Sequence, residues 1–266
     1  MTEEENKNNA AQEGNGEGEK AIAVQEGSGS TSSGSGMNLK KFFAEVIGTS
    51  CLTYIACGTA AVSNDFTQTF LSFGLTVVAM AYSIGNVSGC HINPAVSLAM
   101  FVRRKMDLIS FFSYIGAQIV GSMVGSVLLG LCLRGEFDKL GGTEIAIRLK
   151  DPDDGDKDGW SYASAFLLEV FLTFIFVFAV CGATDKRYQD GKHAGIVIGG
   201  ALALVNAAGG KLTGPSVNPV RSLAPAIFQA IDHEKDAIKQ IWIFIIAPLI
   251  GGALSGLVYD LMLWVM

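Results

Sequence analysis

The sequence predicts an all-α membrane protein with six transmembrane helices and two re-entrant half-helices arranged as an inverted repeat. Three observations carry that expectation. The chain of 266 residues is 50% hydrophobic and only 17% charged, where a soluble domain carries about a quarter charged residues. Its apolar residues gather into six long runs and two short ones. The second half of the chain repeats the pattern of the first, and such a repeat governs how every element is read.

The charge is unevenly placed. Residues 1–36 hold seven glutamates against Lys7 and Lys20, a net −5 of the formal −6, and end in GSGSTSSGSG. So few apolar side chains cannot offset the entropy of ordering, which predicts a disordered tail. Residues 37–266 form one membrane domain, with a first repeat over about 40–133 and a second over about 160–266. A near-neutral, apolar body excludes a basic nucleic-acid binder. Five cysteines, mostly inside apolar runs, exclude a disulfide scaffold. The acidic N-terminus lacks the marks of a secretory signal.

The long runs cover Phe42–Val62, Phe70–Gly85, Leu108–Leu133, Tyr162–Ala183, His193–Ala208 and Ile241–Tyr259. A helix crossing the hydrocarbon core needs about 20 apolar residues, with about 17 as a floor. The second and fifth runs reach only with flanking residues such as Gln68 and Lys192. With no water to satisfy the backbone, such runs must be helical. Gly121/Gly125 and Gly195/Gly199 have the spacing that lets helices approach closely. The short runs, Ala95–Val102 and Val220–Ala230, each begin at Asn-Pro and stop at a charge. Asparagine is a good N-cap and proline suits the first helical turn, so each reads as a half-length helix starting inside the membrane.

The repeat fixes how these pieces fit. AEVIGTSCLTYIACG (44–58) matches LEVFLTFIFVFAVCG (168–182), with Glu45 on Glu169, at an offset of 124. SGCHINPAVSLA (88–99) matches TGPSVNPVRSLA (213–224), with Gly89 on Gly214 and Asn93 on Asn218, at an offset of 125. Three spans per copy is an odd number, so the second copy enters the membrane from the opposite side. The half-helices then meet N-terminus to N-terminus near the midplane, at a central pathway. SIGNVSGCHI and NAAGGKLTGPSV are the non-helical backbones at that depth, which must be buried in protein or line water. Lys40, Lys41, Arg103–Lys105 and Lys186–Arg187 fall on the side of the tail, which favours a cytoplasmic N-terminus. Basic residues in the 134–160 loop, itself rich in aspartates, and before the last span blur that assignment.

HINPAV (91–96) and VNPVRS (217–222), in an inverted six-span repeat with a glutamate in each first span, resemble the aquaporin family of major intrinsic proteins. The resemblance covers nearly everything after Leu39. The second motif departs from the family pattern in reading Asn-Pro-Val, so that Val220 adds two methyl groups near the midpoint and would shift pore width slightly.

The resemblance implies a passive water channel that excludes protons and ions. The alternatives are a channel for glycerol or other small neutral solutes and, further off, a secondary transporter. It implies a multi-pass protein of the plasma membrane or an intracellular vesicle membrane, a homotetramer with one pore per subunit. It implies water and small neutral solutes as what passes, with the bilayer as surroundings, no nucleic acid, no cofactor and no metal. Asn93 and Asn218 would stand at the pore midplane, offering amide donors where two positive helix ends converge. A water oxygen held there cannot accept from a following water, which breaks a proton wire. Arg221, an ionisable residue at membrane depth, would line the outer constriction opposite Phe73, with Asn206 and Pro215 completing it. Water-selective members usually place histidine where this chain has Asn206; Val205 is the match if the loop is one residue longer. Phe73, Ser222, Ala226 and Phe244 fit the water branch, and Ile245 departs from it.

Glu45 and Glu169 are either proton relays or acceptors for the loops' buried amides, and the need of those amides favours the second. His91, with Gly89 and Gly214, belongs to the loops that support the pore. No Ser/His pair, HExxH motif or paired catalytic acids point to an enzyme. Coupled transport would need ion-coordinating groups at the midplane, and Arg221 has no obvious acidic partner in the sequence.

Overall fold

The computed structural model describes residues 37–146, 159–187 and 191–265. The expected tail and the aspartate-rich part of the 134–160 loop lie outside the described residues. Eight helices carry the fold. They are α1 (Leu39–Val62), α2 (Phe66–Ser88), the half-helix α3 (Pro94–Val102), α4 (Leu108–Cys132), α5 (Gly159–Ala183), α6 (Ala194–Gly209), the half-helix α7 (Pro219–Ile231) and α8 (Asp236–Val265). Among the described residues there is no strand.

Local chemistry sets most starts. The side chains of Asn38, Asp65 and Asp107 accept from free amides of the first turns of α1, α2 and α4, as N-caps do. Five of the helices are long and apolar enough to cross a membrane. The second span is longer than expected: α2 runs 23 residues from its Asp65 cap to Gly89, which ends it in the left-handed conformation at φ 84°. So most of SIGNVSGCHI is helix, and the irregular backbone is confined to residues 89–93. The fifth span is shorter than expected. α6 has 16 residues and Lys192 stays outside it, with turns on either side at 192–193 and 210–213.

In α1, residues Thr53–Cys57 form a π-helical turn. The sequence carries no mark of it, and α5, the equivalent helix, is α-helical throughout. Prolines inside α7 (Pro225) and α8 (Pro248) each remove one ladder hydrogen bond.

Packing follows the repeat. α1 lies along α4, α5 along α8, and α2 against α6, while both half-helices are wedged between α4 and α8. Gly121 of α4 sits over the Val46 carbonyl of α1, and Gly251 of α8 over the Val170 carbonyl of α5, each with no room for a Cβ. Val46 and Val170 are related by the repeat offset of 124, so one close approach is built twice. Outward faces are apolar, with Leu75, Phe112 and Leu204 more than 60% exposed. Trp160 and Trp264 stand exposed at the ends of α5 and α8, where interfacial aromatics belong.

The end of the bundle holding Arg103 is tied by charge. Arg103, its side chain fully buried, donates from Nε to Asp260 at 2.8 Å and lies 3.6 Å from Asp185. Arg187, 2.7 Å from Asp185, holds that carboxyl down at about 2. A depressed carboxylate stabilises the fold above its ordinary value of 3.8, and that contribution is lost as pH falls towards 2.

Candidate functional site

The two half-helices meet at their N-termini, and their caps join them. The Asn93 side-chain oxygen accepts from Ala95 N at 2.8 Å, and that of Asn218 from Arg221 N at 3.4 Å. Each is therefore an N-cap, but capping uses only the oxygen. The Asn93 amide donates to the Val217 carbonyl at 2.7 Å, and the Asn218 amide to the Ile92 carbonyl at 2.9 Å. Each asparagine thus reaches into the other repeat. An amide has two N–H groups, so one remains on each, and both residues line the central cavity.

Ile92 and Val217 hold φ of 42° and 41°. Bulky residues avoid that left-handed region, and a carbon-branched valine there is a marked departure. Both are fixed by the same device. Ile92 N donates to Glu45 Oε2 at 2.7 Å, and Val217 N to Glu169 Oε2 at 3.1 Å. Local strain persists only where surroundings over-determine it. Sequence reasoning missed these two residues, because nothing in their side chains announces the conformation.

Glu45 and Glu169 are fully buried. Glu45 accepts from Ser88 Oγ, His91 N, Ile92 N and Gln118 Nε2 at 2.7–2.9 Å. Glu169 accepts from Thr213 Oγ1, Ser216 N and Val217 N at 2.8–3.1 Å. Gln118, Ser88 and Thr213 went unnoticed in the sequence; a polar side chain inside an apolar run was the available signal. His91 contacts the Ser97 hydroxyl through Nδ1 at 3.1 Å and stands beside the Tyr114 ring. Among the described residues no cluster of His, Cys, Asp and Glu has the makings of a metal site. Gly89 and Gly214 both take positive φ, 84° and 58°, which only glycine adopts without cost.

Two cavities lie within the bundle, called inner and outer for their place relative to the asparagine pair. The inner one, about 40 Å³, is lined by Asn93, Asn218, Cys90 and His91 on its polar side and by apolar residues such as Val77 and Phe176. That is room for a few waters. The outer one, about 290 Å³, is lined by Asn206, Pro215, Gly141 and Gly142 among others. Phe73 and Arg221 line both, at the boundary between the two. The Arg221 guanidinium lies over the Phe73 ring, 4.9 Å from its centroid. Arg221 is 3% exposed, and its Nε and Nη1 have no hydrogen-bond partner among the described residues. Asn206, rather than the core residue Val205, faces the outer cavity.

Val220 differs from expectation. It is buried and lines neither cavity; its carbonyl accepts from Ser122 Oγ at 2.6 Å. Its added methyl groups are therefore buried away from both cavities. Residues 137–146 fold over the outer cavity. Leu140 and Ile145 are buried, and Ile145 N donates to Gln240 at 2.7 Å. Nothing in the residue pattern of this loop marks Leu140 and Ile145 as buried.

The profile of the family described as Major intrinsic protein matches residues 32–259. Aquaporin Z of Bradyrhizobium diazoefficiens is 38% identical over 232 residues, which is 84% of this chain and 93% of that protein. Aquaporin Z of Rhodopseudomonas palustris is 37% identical over the same shares. The X-ray structure of the aquaglyceroporin from Plasmodium falciparum superimposes with a TM-score of 0.73 at 24% identity, covering 84% of this chain and 95% of that one; at that identity the likeness speaks for the fold.

Proposed function

This chain belongs to the major intrinsic protein family, and from that membership we propose how its residues make a passive channel for water. It is an integral, multi-pass membrane protein and a channel rather than an enzyme. The observation that carries the reading is the pair of half-helices whose Asn93 and Asn218 cross-link the repeats and still present one N–H each to a narrow cavity.

In this reading a water at the midplane accepts from both asparagines, so both its lone pairs are engaged. It donates outwards in either direction and cannot relay a proton from a neighbour. The positive ends of α3 and α7 converge at the same point and oppose cations. Phe73, Asn206, Pro215 and Arg221 form the outer constriction. Glu45 and Glu169 are acceptors that hold the loops, together with Gly89, His91 and Gly214. Support for that role comes from their occupied lone pairs: a carboxylate engaged by three or four donors is a poor relay.

The test is osmotic swelling of vesicles carrying the purified protein, with water and glycerol gradients side by side. Water flux well above that of protein-free vesicles, linear in the gradient, is expected. Saturable, ion-coupled flux would instead favour a transporter.

The body from residue 37 onward is the channel, and residues 1–36 form a cytoplasmic tail. A chain lacking residues 1–36 is expected to assemble normally, since the tail has too few apolar side chains to contribute to a core; loss of the folded species on removing it would overturn that boundary. The membrane is the plasma membrane or that of an intracellular vesicle, and the assembly is a homotetramer. Cross-linking in detergent checks the second point.

Cys90 lines the inner cavity, whereas Pro215 leaves the outer one with no thiol at its position. Block by a small mercurial should therefore need Cys90. A Cys90→Ser channel that is inhibited as fully as the parent would show that another cysteine is the target.

A further inference from the structure

At the end of the bundle that holds Arg103, two hollows adjoin, away from both pore cavities. The first, about 560 Å³, has Lys105, Lys186 and Arg187 in its wall, together with Asp185 and Asp260. Both carboxylates are already engaged by guanidinium groups. Asp185 accepts from Arg187 Nε at 3.0 Å and Nη2 at 2.7 Å, and Asp260 accepts from Arg103 Nε at 2.8 Å. With the buried Arg103 counted, four cations (Arg103, Lys105, Lys186, Arg187) stand against two carboxylates (Asp185, Asp260) among the described residues.

The second hollow, about 430 Å³, is an apolar groove between α5, α6 and α8, walled by Phe178, Ala179, Val197 and Met262. His193 and Tyr259 are the polar side chains in its wall among the described residues. Leu263 belongs to both hollows. Along α5 the groove's wall ends at Ala183, and the charged wall starts at Asp185. The groove therefore leads towards the helix end into a net positive hollow. Trp264, 84% exposed, stands in the wall of that hollow, as an aromatic at the headgroup level does.

An apolar groove alone suits any acyl chain, so the charge decides the headgroup. Lysine and arginine bind phosphate oxygens well, and basic pockets between membrane helices receive anionic headgroups. Phosphocholine would bring a cation of its own into a hollow that already has an excess of them. A free phosphate would leave the groove without an occupant.

We propose that the two hollows together hold one anionic phospholipid, its phosphate among Lys105, Lys186 and Arg187 and an acyl chain in the groove between α5, α6 and α8. The inference needs the membrane-spanning fold and is independent of what passes through the pore.

The test is displacement of a fluorescent phosphatidylglycerol from the full-length protein in detergent. The competitors are phosphatidylglycerol and phosphatidylcholine with the same acyl chains, and glycerol phosphate, which has the charge without the chains. Phosphatidylglycerol should compete about tenfold better than phosphatidylcholine at about 0.1 M salt. The advantage should shrink at about 1 M, where the screening length falls to about 3 Å. Each basic residue near an anionic lipid surface is worth about fivefold in binding. Lys105→Gln/Lys186→Gln should therefore bring the two lipids within about threefold of each other. Arg103 and Arg187, which hold the carboxylates, are left in place, and the thermal midpoint without added lipid reports that the variant is folded. Equal competition by the two lipids on the parent protein would overturn the inference, whether ordinary lipid or another copy of the chain covers the groove, and this comparison does not depend on the variant. A preference that neither salt nor the lysine changes reduce would also overturn it. Glycerol phosphate competing as well as phosphatidylglycerol would overturn it in favour of a free-phosphate site.

Discussion

Glu45→Ala is expected to prevent the protein from accumulating in a folded form. The carboxylate is the shared acceptor for Ser88, His91, Ile92 and Gln118; Ser88, Ile92 and Gln118 are buried and His91 partly so. Each buried donor left unpaired costs roughly 1–3 kcal/mol. Four such losses approach or exceed a net stability of about 5–15 kcal/mol. The damage would not stay local. Ile92 depends on Glu45 for its left-handed backbone, and the Ile92 carbonyl receives the Asn218 amide. Loosening one loop therefore loosens the cap of the other half-helix. The same chain of dependence runs from Glu169 through Val217 to Asn93. The measurement is the yield of monodisperse protein in detergent and its thermal midpoint, with Glu45→Gln alongside. Glutamine keeps one acceptor oxygen but turns an N–H₂ towards donors, so it should be intermediate. An alanine variant as stable as the parent would mean that the loops find their acceptors elsewhere.

Arg221→Val is expected to keep water flux within the same order and to relax selectivity. The guanidinium is always charged, no carboxylate forms an ion pair with it among the described residues, and its Nε and Nη1 have no hydrogen-bond partner there. At 4 Å and an effective dielectric near 20, a passing cation meets a repulsion of about 4 kcal/mol. Removing it should raise cation and proton leak. The rise is partial because the converging ends of α3 and α7 remain as a second barrier of the same sign. Valine is also shorter, so the gap opposite Phe73 widens and solutes larger than water should enter. Water, glycerol and proton fluxes in matched vesicles decide the point. Lost water flux in a well-folded variant, with no gain in solute or ion passage, would make Arg221 a structural residue and move the constriction elsewhere.

The two variants test different parts of the same design. Glu45 acts on the loops from behind, and its loss should appear as stability. Arg221 faces the passage, and its loss should appear as selectivity at unchanged stability.

The architecture was legible in the sequence because its causes are local or periodic. Run length sets a span, Asn-Pro starts a half-helix, and an odd number of spans per copy inverts the second. The pairing of Glu45 with Glu169 and of Asn93 with Asn218 came from the repeat alone. What those residues touch did not. The cross-repeat bonds from Asn93 to Val217 and from Asn218 to Ile92 span 124 and 126 residues, and no local pattern encodes a partner that far away. The positive φ of Ile92 and Val217 is likewise imposed by a buried carboxylate on another helix, against the preference of their own side chains. The π turn in α1, the inward fold of residues 137–146 and the retreat of Val220 from the axis have the same origin. None of the three has a local sequence signal. The identity of the wall residues is written in the chain, whereas which of them share a cavity, as Phe73, Asn206 and Arg221 do, depends on how distant helices pack.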